Sequence, residues 1–312
     1  MYLFENRISI ENRPHMESYL QSFEYKASGL SFSSLYMWRE VNEFSWRELG
    51  DYLCIAAVSN LPEEKDEAFL APPLTRTGRY DKEALRETIL AAREIFEKEG
   101  MPFSIRLLPF HMLDTVTAAM SAGGEALKIV ADRPNYDYVY LTRDLAELAG
   151  RGYHGKKNHL NYFKGHYEYE YVPLTAAMAE EAMDFIRRFN LTKELPPEEM
   201  ELLEAEERAM RDVFINVERL NYLAGAIRID GKIEALTIGG FLGKNTVTVH
   251  VEKANIAFRG LYQAINNEFC LRIPAHIKYI NREEDMGIDG LRKAKLSYKP
   301  VKLLEKYIVS FA

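Results

Sequence analysis

Blocks of alternating and of helically spaced apolar residues succeed one another along the chain, and the change of period marks the elements. In the first part, YLCIAAV (52–58) and AFLAPPL (68–74) are apolar runs separated by an acidic turn, and they predict a strand pair. Phe32, Leu35, Tyr36 and Trp38 predict a short buried helix in SFSSLYMWR. From Asp81 to Glu99 the pattern is helical. Leu85, Ile89, Ala92 and Phe96 share one face, Asp81 stands as N-cap and Gly100 as stop. PFSIRLLP then predicts a strand, and a short helix after His111 ends at Gly123-Gly124.

Pro134-Asn135 disfavours helix and carries no apolar period, which makes it the best internal break. Two domains are expected, 1–134 and 135–312. The second begins with a strand (YDYVYLT), a basic helix around Lys156 to Lys164, a period-two strand (YEYEYVPL) and a helix from about Thr175 to Asn190. An acid-rich stretch with seven Glu between Glu194 and Glu207 runs into another helix ending near Leu220. Tyr222–Ile229 and Lys232–Leu242 read as strands joined by the hairpin turn Asp230-Gly231. A third strand, TVTVHVE, a helix from about Arg259 to Ile273, a strand (HIKYIN), a basic segment after Gly287 and a final strand (LLEKYIV) complete the chain. The expected fold is α/β (α+β), and no recurring period of solenoid length appears.

Composition narrows the function. The 312 residues suffice for two ordinary cores. No uncharged apolar run reaches the roughly 18 residues of a membrane helix, and the N-terminal residues lack a signal-peptide pattern, so a cytoplasmic protein is expected. The only cysteines, Cys54 and Cys270, sit in apolar patterns and are expected to be reduced core thiols, and the histidines show no metal spacing, so no metal is expected. A net charge of −7 disfavours general nucleic-acid binding, DNA included. Two segments depart from that average: 151–166 carries four Lys/Arg and no acid, and 291–306 carries six Lys/Arg and one Glu.

The runs VEKANIAFRGLYQAINNEF (251–269), YINREEDMGIDGLRKAKLSYKP (279–300) and GKKNHLNYFK (155–164) resemble the C-terminal domain of phosphatidylglycerol lysyltransferases, in particular its stand-alone bacterial relatives. The order of elements through the second half is similar to the GNAT acyltransferase core and to Fem-type peptidyltransferases. The resemblance implies two tandem GNAT-like domains, each a mixed, largely antiparallel sheet flanked by helices, with the first a degenerate copy. It also implies transfer of an aminoacyl group from aminoacyl-tRNA to an amine or hydroxyl, on a small-molecule or lipid-headgroup acceptor. Possible partners are thus the tRNA acceptor end and such an acceptor, with no tightly bound cofactor. Two alternatives stand beside this reading: an acyl-CoA-dependent N-acyltransferase, and a non-catalytic anion-binding module on the same fold.

Acyl transfer needs a nucleophile, a group to take its proton and donors for the oxyanion. Glu252, Tyr262 and Lys295 are the candidate catalytic residues, with Glu252 or Tyr262 assisting proton transfer. Arg259 and Gly260 open a helix whose N-terminus suits phosphate. Coenzyme A users of the superfamily usually show a second glycine two positions further on, which NIAFRGLYQ lacks. In GIDGLRKAKLSYKP, helical spacing puts Arg292, Lys295 and Lys299 on one side, with Lys293 elsewhere and Leu291 and Tyr298 on another. Arg292, Lys293, Lys299, Lys156 and Lys157 are the remaining phosphate candidates. Asn255, Gln263, Asn266 and Tyr298 are expected to line a pocket, and His250, between valines, reads as a satisfied strand residue. The transferase reading expects Arg259, Arg292 and Lys295 to face one another across a cleft.

Overall fold

The computed structural model describes residues 1–21, 27–39, 41–59, 67–192 and 197–311, with backbone alone at 197–199, 201 and 202. The chain divides into two compact units, 1–136 with 304–312, and 137–303.

The first unit runs β1 (Asn6–Arg7), α1 (Arg13–Leu20), α2 (Phe32–Met37), β2 (Ser45–Leu49), β3 (Tyr52–Val58), β4 (Ala68–Leu70), β5 (Leu74–Thr75), α3 (Lys82–Lys98), β6 (Ser104–Pro109), α4 (Phe110–Ser121) and β7 (Leu127–Ala131). The start of α3 is as its sequence dictates: Asp81 Oδ1 accepts from the Glu83 and Ala84 amides at 3.0 and 2.9 Å, and Leu85, Ile89, Ala92 and Phe96 are buried. The run 68–74 is not one strand. Pro72 and Pro73 cannot donate to a ladder, so β4 stops at Leu70 and β5 resumes against β3.

The second unit runs β8 (Asp137–Leu141), α5 (Thr142–Glu147), α6 (His154–His166), β9 (Glu170–Pro173), α7 (Ala179–Asn190), α8 (Pro197–Ile215), β10 (Leu223–Ile229), β11 (Lys232–Phe241), β12 (Thr246–Ala254), α9 (Leu261–Arg272), β13 (Tyr279–Asn281), α10 (Asp289–Leu296) and β14 (Lys302–Leu304). The acid-rich stretch begins outside the described residues at Glu194 and continues in α8. Asp230 and Gly231 both take positive φ, 51° and 76°, as a primed hairpin turn requires. One core joins α5, α6 and α9 to this sheet through Tyr138, Tyr140, Leu145, Leu160, Phe163, Val247 and Ile265.

The last strand corrects the expected boundary. LLEKYIV is divided: β14 lies at the edge of the second sheet beside β8, while β15 (Lys306–Phe311) lies in the first sheet between β6 and β7. Its register, Tyr307 opposite Leu108 on one side and Ala131 on the other, assigns it to the first unit. The two sheets then read alike. An antiparallel meander (β2-β3-β4, β10-β11-β12) is followed by a helix, a parallel strand (β6, β13), a further helix and an edge strand (β7, β14), with one more strand (β15, β8) next to the parallel one. This is a tandem GNAT fold.

Two features of the second sheet position the site. Strands β12 and β13 pair only through Thr246↔Tyr279, Val247↔Ile280 and Thr248↔Asn281, and beyond Thr248 they splay. Against β11, Val249 faces Gly239 and Val251 faces Ile238, which leaves His250 as the extra residue of a bulge. Gly239 is required there, since a Cβ would meet the Thr248 carbonyl at 2.7 Å. Among the described residues no helix is long and apolar enough to cross a membrane.

Candidate active site

Side chains bridge the gap where β12 leaves β13. Glu252 Oε1 accepts from Arg282 Nη2 at 2.7 Å, and its Oε2 accepts from Asn266 Nδ2 of α9 at 3.0 Å. The two charged side chains are 10% and 14% exposed, so the pair is nearly withdrawn from water. The Arg282 guanidinium stands 5.0 Å from the Tyr298 ring centre and 5.9 Å from that of Tyr140. Lys156 of α6 reaches the same Tyr298 ring, its Nζ 4.4 Å from the centre. Two cations therefore share one phenol, and one of them has a carboxylate partner.

The electrostatics follow from that arrangement. Burial opposes the charge on Arg282, but Glu252 alongside holds its pKa above the ordinary arginine value. Burial, and then the positive charge of Arg282, pulls the Lys156 ammonium below the ordinary lysine value. Burial pushes the Tyr298 phenol up to about 12, and Gln263 hydrogen-bonds to it. Tyr262 is also raised by burial; its phenol shares a hydrogen bond with the Ala254 main chain and feels the charge of Glu252. Tyr262 and Tyr298 are thus protonated at neutral pH, fit to donate and not to act as bases.

A second bridge crosses the same gap. The bulged His250 meets Glu283, Nδ1 to Oε1 at 2.7 Å, with Glu283 held at a φ of 56°. It is the satisfied strand residue that the alternation implied.

The basic face of α10 does not open on a cleft. Arg292 grips Asp285 with two hydrogen bonds of 2.9 Å, and Asp285, fully buried, also accepts from Tyr138 and the Gly287 amide. Lys295 is buried and donates to the main-chain carbonyls of Arg282 and Glu284, while burial and then Arg282 lower its pKa. Both side chains hold the loop 282–285, and so position Arg282 and Glu283 without offering a free charge to a ligand. Arg259, exposed, lies over the Tyr162 ring at 4.4 Å. The expected convergence of Arg259, Arg292 and Lys295 is therefore overturned, because each cation already has a protein partner elsewhere. Lys157, Lys293 and Lys299 are exposed.

Gly260 is at a φ of 90°, and a Cβ there would come within 2.2 Å of the His159 carbonyl of α6. The Leu261 amide already donates to the Phe258 carbonyl. This helix start, expected to cradle phosphate, is packed against α6 instead. Asn255 and Tyr262 do line a cavity, together with Phe185, Arg188 and Glu234, whereas Gln263, Asn266 and Tyr298 belong to the cluster around Glu252. Cys54 and Cys270 are buried free thiols pushed up to about 12 by burial. Among the described residues no group of His, Cys, Asp and Glu gathers as metal ligands would.

Sequence reasoning passed over Arg282, Tyr140, Asp285, Arg188 and Glu234. Arg282 had a signal, since it directly follows an apolar strand in a segment already singled out, and an arginine leaving a buried strand needs a partner.

By fold the chain is a tandem GNAT protein, similar to a tandem GNAT protein from the clavulanic acid biosynthesis pathway (TM-score 0.55, 12% identical, covering 99% of this chain and 97% of the other). More narrowly, residues 21–310 match the family described as phosphatidylglycerol lysyltransferase, C-terminal, and the chain belongs to that family. It is similar to a conserved protein of unknown function from Bacteroides thetaiotaomicron (TM-score 0.85, 32% identical, 100% of both chains). It is also similar to L-PGS from Bacillus licheniformis (TM-score 0.63, 11% identical, 98% of this chain and 92% of the other). An uncharacterized protein of Mycoplasmoides gallisepticum is 24% identical over 180 residues, which span 55% of this chain and 55% of that relative. Family and fold together support an acyltransferase-type function.

Proposed function

We propose that the second unit transfers an aminoacyl group from aminoacyl-tRNA to an amine or hydroxyl acceptor at the splay between β12 and β13. The observation that carries this reading is the buried Glu252–Arg282 pair at that gap, ringed by Tyr140, Tyr298 and Lys156. A buried ion pair contributes little to stability over apolar packing, so its presence at the strand splay of an acyltransferase fold suits chemistry better than folding.

In this reading the acceptor nitrogen or oxygen attacks the ester carbonyl carbon, and Glu252 takes the proton that the acceptor loses. Arg282 and Lys156 offset the negative charge that develops on the carbonyl oxygen. The bond from that carbon to the ribose oxygen breaks. The ribose oxygen leaves with the proton of the Tyr262 phenol, which Glu252 then restores, so the proton count is unchanged. Lys157, Lys293 and Lys299, exposed, are the side chains left to meet the phosphates of the tRNA end.

The packing of α6 against Gly260 favours this donor over coenzyme A, whose pyrophosphate would seek the start of α9. The test offers charged tRNA and acyl-CoA thioesters separately, with a panel of amines, and follows loss of each acyl bond. Consumption of aminoacyl-tRNA with the thioesters untouched is expected; turnover of thioesters alone would overturn the choice of donor.

A further inference from the structure

A cavity of about 260 Å³ lies between α7 and the end of β12, lined by Phe185, Phe189, Ile256 and Tyr262 on its apolar walls. Its polar end is built around Glu234, a strand residue only 7% exposed. Glu234 Oε1 accepts from Arg188 Nη1 at 3.0 Å and its Oε2 from Asn255 Nδ2 at 2.8 Å. Asn255 is fixed in turn, since its Oδ1 accepts from the Ala257 amide at 3.0 Å and its own amide donates to the Glu234 carbonyl.

We infer that this cavity binds a primary amine carried on a compact apolar body, with the ammonium seated on Glu234. Each carboxylate oxygen accepts about two hydrogen bonds, and each oxygen of Glu234, which lines the cavity, holds one from a named side chain, so neither is saturated. Arg188, which also lines the cavity, offsets part of that charge; its side chain is 45% exposed and hydrated, whereas that of Glu234 is 9% exposed, so the carboxylate is the less solvated of the two. Aromatic walls favour a cation over an anion at that end and accept an apolar body along their length. Volume sets the size: at about 30 Å³ for each water-sized group, the space holds roughly nine such groups, the size of a phenethylamine. The rim suits entry, because Ile256 is 82% exposed beside the mouth.

Tyr262 lines this cavity and feels the charge of Glu252, so it stands as the wall between the amine seat and the ionised cluster. The role of the seat, as an anchor for an amino group of the substrate other than the one that reacts, rests on the transfer reading; the binding does not.

Binding is therefore measured by calorimetry on the full chain with no acyl donor present, using phenethylamine and its neutral counterpart phenethyl alcohol. Phenethylamine is expected to bind and the alcohol to bind about tenfold more weakly or worse, since a charge-assisted bond is lost. Glu234→Gln is expected to remove the preference for the amine. Ile256→Arg, at an exposed position where folding is not at stake, is expected to weaken phenethylamine by about tenfold through bulk and like charge at the mouth. Equal binding of amine and alcohol, full binding by Ile256→Arg, or no binding of phenethylamine to the unaltered chain would each overturn the proposal. The transfer assay stands or falls on its own.

Discussion

At the junction where the meander of the first unit meets its parallel strand, Leu70 pairs with Ile105, and the surrounding Ala68, Phe69 and Ala71 are apolar and buried. Helix α3, which connects the two strands, turns Leu85, Ile89, Ala92 and Phe96 to the core. The equivalent junction in the second unit carries His250 and Glu252 on β12 and Arg282 and Glu283 beyond β13, while α9 buries Asn266, Asn267 and Glu268. The topology is the same and the chemistry is not. The first unit also sets an ion pair beside its junction, Arg106 with Glu67, but those side chains are 20% and 45% exposed, so the fold does not demand charges as deeply buried as those of the second unit. Charges withdrawn from water without a structural need point to a task.

That contrast can be broken from either side. Arg282→Met should destabilise the chain by about 3–5 kcal/mol, because it leaves Glu252 buried and unpaired; denaturant unfolding measures it, and a loss near zero would mean that water reaches the pair. In the first unit, Leu85→Ala should cost about 2–5 kcal/mol as a cavity in a packed core, yet leave the transfer rate per folded molecule unchanged. A fall in that rate would show that the first unit takes part in the chemistry. Asp81→Ala, which removes the α3 cap, should cost about 1 kcal/mol in the same unfolding experiment.

The smallest effect is one of pH. Lys156 has a lowered pKa in the folded chain, so between that value and the ordinary lysine value of about 10.4 the unfolded chain binds more protons. Stability contributed at this position therefore rises with pH through that window, and Lys156→Met should flatten part of the rise. Lys295, lowered in the same direction, keeps the remainder. An unchanged slope in Lys156→Met, measured by urea unfolding below about pH 10, would place the lysine in water.

Much of the fold was legible because local chemistry and tertiary structure agree at those points. The cap and stripe of α3, the Asp230-Gly231 turn and the three strands of the second meander are fixed by nearest neighbours in sequence. The division of LLEKYIV was not legible, since one strand pattern cannot say which sheet receives each half. Strand β7 is largely exposed and shows no two-residue period to find. Segment resemblance and spacing single out Glu252, Asn266, Tyr298 and Lys156 as candidates, and the structure brings the four around one ion pair. Helical spacing put Arg292 and Lys295 on one side of α10, but spacing cannot tell what that side touches. It faces the buried Asp285 and the carbonyls of 282 and 284. Glu234 was missed because a glutamate after a Gly-Lys turn in a strand ordinarily reads as solvated.

Transfer as proposed turns on Glu252 receiving the acceptor's proton. Single-turnover transfer from charged tRNA to an amine, compared between the unaltered chain and Glu252→Gln with matched far-ultraviolet circular dichroism, addresses that step. The rate is expected to fall by about 10²–10⁴-fold, the range for loss of a general base. Transfer by Glu252→Gln at the rate of the unaltered chain would contradict it.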